Sequence, residues 1–161
     1  MAELKDLIKK LDKLEKFLKT DVKTIVGGEA VKHFKQSFRD EGFTDKTLKK
    51  WDNVKRRDAS SPWYGFKYGK KGISNAATNR KILTGETLAL QDSIQWEPTA
   101  SGVQVSAKTP YAKVQNEGGD IKVFGRKTVR LKPRPFMGDS AKLREKIDEL
   151  VKKRLDNILK S

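Results

Sequence analysis

The chain has 161 residues, no cysteine and a single histidine, His33. That length suits one domain with its own core, and the composition leaves no material for a disulfide scaffold, a Cys-ligated metal, a thiol nucleophile or a multi-histidine site. The formal charge is +15, concentrated in two stretches: 11 basic against 2 acidic residues over 46–81, and 6 against none over 122–134.

Leu4, Leu7, Leu11, Leu14 and Leu18 alternate three- and four-residue steps, with Ile8 and Phe17 beside them. This predicts an amphipathic helix within residues 1–24, its stripe docked on the domain core or paired with another helix. No signal peptide is read at this end. No apolar run reaches the roughly 18 residues that a membrane span needs, so no membrane contact is expected. Gly27-Gly28 predicts a bend or stop. A second helix is predicted over 29–40, faced by Ala30, Val31, Phe34 and Phe38, with Gly42 as its stop. Asp45 reads as the cap of a third, short helix carrying Leu48, Trp51 and Val54.

No period holds over residues 57–81, which read as a long loop. Trp63, Tyr64, Phe66 and Tyr68 interleave there with Lys67, Lys70 and Lys71. Such a mixture suits stacking on single-stranded nucleic acid and equally suits a protein–protein contact. Gly65 and Gly69-Lys70 imitate a phosphate loop but miss its spacing and the following Ser or Thr.

Residues 82–94 read as a helix capped by Thr84. Strand-like runs follow at 93–96, 103–106 and 111–114. A hairpin is expected from 121–124 and 128–131 around a basic tip, Gly125-Arg126-Lys127, with Arg130 beyond it. A final helix is capped by Asp139 or Ser140 and striped by Leu143, Ile147, Leu150, Val151, Leu155, Ile158 and Leu159. The sum is an α+β fold: a small antiparallel β-sheet with packed helices, between a long N-terminal amphipathic helix and a C-terminal helix.

Chemistry is sparse. No Gly-x-Ser-x-Gly elbow occurs. The acids Asp52, Asp58, Glu86, Asp92, Glu97, Glu117 and Asp120 show no spacing that marks a catalytic pair. Asp92, Glu117 and Asp120 are the material for a magnesium-dependent nuclease, the one enzyme alternative. The expectation is a protein that is no enzyme, with no cofactor, no metal and no small-molecule substrate.

Three stretches carry a resemblance: Ile82-Leu83-Thr84-Gly85-Glu86-Thr87-Leu88 through Ser93-Ile94; Tyr111-Ala112-Lys113-Val114-Gln115-Asn116-Glu117-Gly118-Gly119; and Arg134-Pro135-Phe136-Met137-Gly138. In that order, and followed by a terminal helix, they resemble the phage virion morphogenesis proteins, the Mu-type tail completion family, over about residues 28 to 160. The resemblance implies a connector-like or tail-terminator-like fold. It also implies a structural protein of a phage or prophage, made in the bacterial cytoplasm and placed in the virion tail or neck. Its expected partners are other tail or head–tail connector proteins and further copies of itself, assembled as a homo-oligomer. The alternative is a nucleic-acid-binding protein using the basic stretches 46–81 and 122–134, and DNA contact is compatible with either reading.

Overall fold

The computed structural model describes residues 2–69, 71–123 and 125–160; Lys70 of the aromatic loop and Phe124, the last residue of the strand expected over 121–124, lie outside them. The chain opens with a continuous helical rod. Helix α1 (Ala2–Lys16) runs through one π turn (Phe17–Asp21) into α2 (Val22–Asp40). A π turn carries an extra residue, which rotates every side chain after it relative to those before. Phe17 is buried, while its neighbour Leu18 is exposed. Most of the leucine stripe does not dock on the core: Leu4, Leu7, Ile8, Leu11 and Leu18 are exposed, while Leu14 is half-buried and α1 lies against the C-terminal helix.

Gly27-Gly28 neither bends nor ends the helix. A Cβ on Gly27 would stand 2.2 Å from Trp96 Cδ2, so the missing side chain is what lets Trp96 lie on α2. The helix stops one residue before Gly42, at Glu41, which takes a left-handed φ of 50°. Glu41 is held there by its carboxylate, which accepts from Ile82 N–H (2.8 Å) and Arg57 Nη1 (2.6 Å).

The third predicted helix is instead a hairpin, β1 (Gly42–Thr44) against β2 (Leu48–Lys50), followed by a 3₁₀ turn at Lys55–Arg57. Trp51 N–H donates to Glu41 O (2.8 Å), and its indole Nε1 donates to Pro135 O (2.8 Å), so the ring is pulled into the core by bonds a helix would not offer. Asp45 does cap a helix, but the last one. Its carboxylate accepts from Ala141 N–H (2.8 Å), and Ser140 Oγ accepts from Leu143 N–H (3.1 Å) at the start of α6 (Ala141–Lys160).

Among the described residues of 57–81, turns lead to a short helix, α3 (Asn75–Asn79), capped by Ser74. Residues 82–94 are not one helix. Leu83, Gly85 and Leu88 take φ of 60°, 61° and 57°, which interrupts the helical ladder and leaves only α4 (Ala89–Asp92). Thr84 does not cap it; its Oγ1 donates to Lys81 O (2.8 Å). Strands β3 (Ile94–Pro98) and β4 (Val103–Ala107) pair antiparallel. Residues 111–114 are not a strand but the start of α5 (Ala112–Glu117), which Gly118 ends at φ 76°. The hairpin β5 (Gly119–Val123) and β6 (Lys127–Leu131) forms as the alternation predicts. Among the described residues the strands therefore make three separate two-stranded sheets within an α+β fold. The buried cluster draws Ala30, Phe34 and Phe38 of α2 together with Trp51, Ile82, Leu90, Ile94, Ala112, Phe136 and Leu143.

Candidate interaction surface

The aromatic loop is pinned at its base and wet at its tip. Gly65 N–H donates to Arg56 O (2.9 Å), and Gly65 O accepts from Ser74 N–H (2.9 Å). Gly65 has φ 63°, and a Cβ on it would meet Ile73 Cγ2 at 2.5 Å, so glycine is required at this crossing. Beyond it, Trp63 and Phe66 meet edge to face with centroids 5.2 Å apart. Each leaves half of its surface in water (51% and 50%), and Tyr68 leaves 80%. Tyr64 is half-buried and Ile73 is exposed. The rings find each other rather than the core. An exposed apolar cluster of this kind on a hydrogen-bonded base is the physical form of a contact site.

The lysines of this loop do different jobs. Lys67 Nζ lies 2.8 Å from Glu86 Oε1, which Arg80 also approaches at 3.2 Å. Lys67 and then Arg80 hold the Glu86 carboxyl below its ordinary pKa. Lys71 is exposed. On the other hairpin Arg126, Lys127 and Arg130 are exposed, with Arg130 opposite Asp120 in the register.

The two basic stretches meet at their ends, which the sequence did not reveal. Lys132 Nζ pairs with Asp52 (2.8 Å) across 80 residues. Arg56 fans its guanidinium onto three carbonyls, those of Ala77, Arg80 (2.8 Å) and Lys81 (3.0 Å). Burial, then Arg80 and Arg57 beside it, lower the Arg56 pKa, and Arg134 adds to the effect. Arg134 Nε is buried without a hydrogen-bond partner. Arg57, Arg80 and Arg134 thus gather near enough to Arg56 to act on its charge, with Glu41 among them.

The resemblance residues divide between packing and a small cleft. Thr84, Gly85, Tyr111 and Gln115 line one cleft of about 300 Å³ with Leu83, Thr87, Ala89 and Leu90; Leu88 and Tyr111 are partly exposed beside it. Glu117 is exposed. A Cβ on Gly118 would stand 2.9 Å from Leu131 O, and Gly119 takes φ 136°. Arg134 N–H donates to Gln115 O (2.9 Å). Pro135 accepts from Trp51, and Phe136 is buried at 1% exposure against Phe38, centroids 5.2 Å apart.

Sequence reasoning missed the residue that holds this segment, Asn116. Its Oδ1 accepts from Phe136 N–H (2.9 Å) and Met137 N–H (3.0 Å), and its Nδ2 donates to Met137 O (3.1 Å). Its position inside the second motif, ahead of two glycines, was the only signal. Among the described residues no group of three His, Cys, Asp or Glu side chains gathers as a metal site would need, and no helix is long and apolar enough to cross a membrane.

Residues 51–156, well over half of the chain, match the model of the phage virion morphogenesis family. That span takes in the loop, all three motifs and most of α6, and leaves α1 and α2 outside. No curated protein and no solved structure matches.

Proposed function

The chain belongs to the phage virion morphogenesis family, and from that premise we propose that it is a structural component that completes the tail or joins it to the head. It works through protein–protein contacts and self-assembly, without catalysis and without a cofactor. The observation that carries this reading is the exposed Trp63–Phe66 pair on its pinned loop, inside the matched residues. Such a pair gives a partner two rigid rings with little ordering entropy left to lose at the base. Its place in the virion would be the tail or neck.

The test is complementation. A phage or prophage lacking this gene is supplied with the wild-type chain or with Trp63→Ala/Phe66→Ala, and particles are counted by electron microscopy. Unjoined heads and tails with the variant are the expected result. Intact particles without any copy of the gene would overturn the reading.

A second reading is favoured by the exposed cations Lys71, Arg126, Lys127 and Arg130. It has the basic stretches 46–81 and 122–134, with Arg126, Lys127 and Arg130, contact DNA phosphates. A steep fall of affinity with log salt and useful binding at physiological salt support it; flat, weak binding removes it.

A further inference from the structure

The leucine stripe of α1 lies outside the matched residues 51–156 and outside the core. Read as heptads, Leu4, Leu11 and Leu18 take the first core position and Leu7 and Leu14 the fourth. Leu4, Leu7 and Leu11 each expose more than half of their surface. An isolated helix of this length is marginal in water, but α1 is continuous with α2, whose far end is locked into the core. The ordering cost of forming it is already met by the fold.

We propose that this face packs against α1 of a second copy of the chain, parallel and in register. Charge chooses the occupant and the direction. The excess positive charge lies in residues 46–81 and 122–134, away from this helix, whereas Ala2–Lys16 mixes Glu3, Asp6, Asp12 and Glu15 with Lys5, Lys9, Lys10, Lys13 and Lys16. A nearly neutral, two-signed helix suits a like copy better than a strongly charged partner. In a parallel pair the flanking Lys10 of one copy meets Glu15 of the other, twice over. In an antiparallel pair that stacks Leu7 on Leu11, Lys10 meets Lys10. The present partners of these two side chains are weak and exchangeable. Lys10 Nζ reaches Leu159 O at 3.5 Å, and Glu15 pairs with Lys19 in an exposed i,i+4 bridge.

This deepens the self-assembly part of the proposed function by naming its surface. The purified full chain is measured by analytical ultracentrifugation. The wild type is expected to associate, and Leu11→Glu to weaken association by more than about tenfold while helicity by circular dichroism stays the same. Lys10→Glu alone should weaken it, and Lys10→Glu with Glu15→Lys should restore it. Because the chain has no cysteine, Leu7→Cys and Leu11→Cys each carry one thiol. Each should crosslink to itself under mild oxidation, and Lys9→Cys, on the opposite face, should not.

A wild type monomeric at about 100 µM, or an oligomer that Leu11→Glu leaves intact, overturns the proposal. So does crosslinking only in a mixture of Leu7→Cys with Leu11→Cys, which reports an antiparallel pair. A monomeric chain that still rescues particles overturns this interface and leaves the structural role in the virion standing.

Discussion

Residues 134–137 and residues 63–69 both place aromatic rings on irregular backbone, and the two segments are treated in opposite ways. In the first, the neighbouring backbone is clamped by side chains: Asn116 holds Phe136 and Met137, Trp51 holds Pro135, and Ser37 Oγ donates to Phe136 O (3.3 Å). The ring of Phe136 fills the core beside Phe38. In the second, the backbone closes on itself through local turn bonds, Tyr64 N–H to Ser61 O and Phe66 N–H to Trp63 O (3.0 Å each), and Trp63 and Phe66 stay half in water. Where distant side chains hold the backbone of a loop, the loop can be driven inward with its ring. Where the loop bonds mostly to itself, the rings remain available to a neighbour.

The largest effect should come from emptying the clamped segment. Phe136→Ala removes a buried ring and should cost about 3–5 kcal/mol in urea unfolding. A cost under about 1 kcal/mol would show that the segment is not a core anchor.

Asn116→Ala tests the clamp rather than the ring. It strands two backbone N–H groups and a carbonyl, and should cost about 2–3 kcal/mol. Asn116→Asp keeps the acceptor and loses the donor, so it should fall between wild type and alanine. Equal stability of all three chains would mean the segment holds itself.

These particulars show what the sequence carries and what it does not. The helices around Phe34 and Leu143 and the hairpin β5–β6 were legible because one period runs through each. Phe136 stood out as part of the third motif, where Pro135 sets an extended entry just ahead of it. Residues 82–94 were not legible, because Leu83 and Leu88 adopt left-handed backbone that helical spacing cannot register. Leu48, Trp51 and Val54 share a spacing with helices, yet Leu48 stays exposed on β2 and Trp51, just past the hairpin, bonds to Pro135, far along the chain. Asn116 and the Lys132–Asp52 pair act across chain reversals, so only folding brings their partners near. The exposed state of Trp63 and Phe66 was left open by composition, which fixes apolar content but not its address.

Glu41 links the core to the basic gathering and offers a pH test of a smaller size. Burial works against its charge, but the Ile82 N–H and then Arg57 and Lys81 prevail, so its folded pKa lies below the ordinary 4.5. A depressed carboxyl adds stability that is fully present above its ordinary value and is lost as pH falls through the folded value. Glu41→Gln should therefore destabilise by about 1 kcal/mol at pH near 7 and by progressively less below pH 4.5. A difference constant down to strongly acidic pH would show that the charge contributes nothing.

The smallest effect on stability, and the largest contrast with Phe136, is expected in the aromatic loop. Trp63→Ala/Phe66→Ala removes two rings whose outer halves are already hydrated and whose edge-to-face contact is mainly with each other. Its cost should stay under about 1.5 kcal/mol, within the range of a single exposed aromatic pair. The pinning bonds at Gly65 are backbone bonds and survive the change. Assembly should respond quite differently, because the same rings are the apolar area a neighbour would bury. Hydrogen exchange separates the two roles. In the free chain, amides 63–69 beyond the Gly65 anchor should exchange quickly; on assembly with the partner they should slow. Strong and equal protection in both forms would mean that the loop is complete by itself and that the rings serve no contact. Protection gained by the wild type and absent in the double variant would place the contact on Trp63 and Phe66.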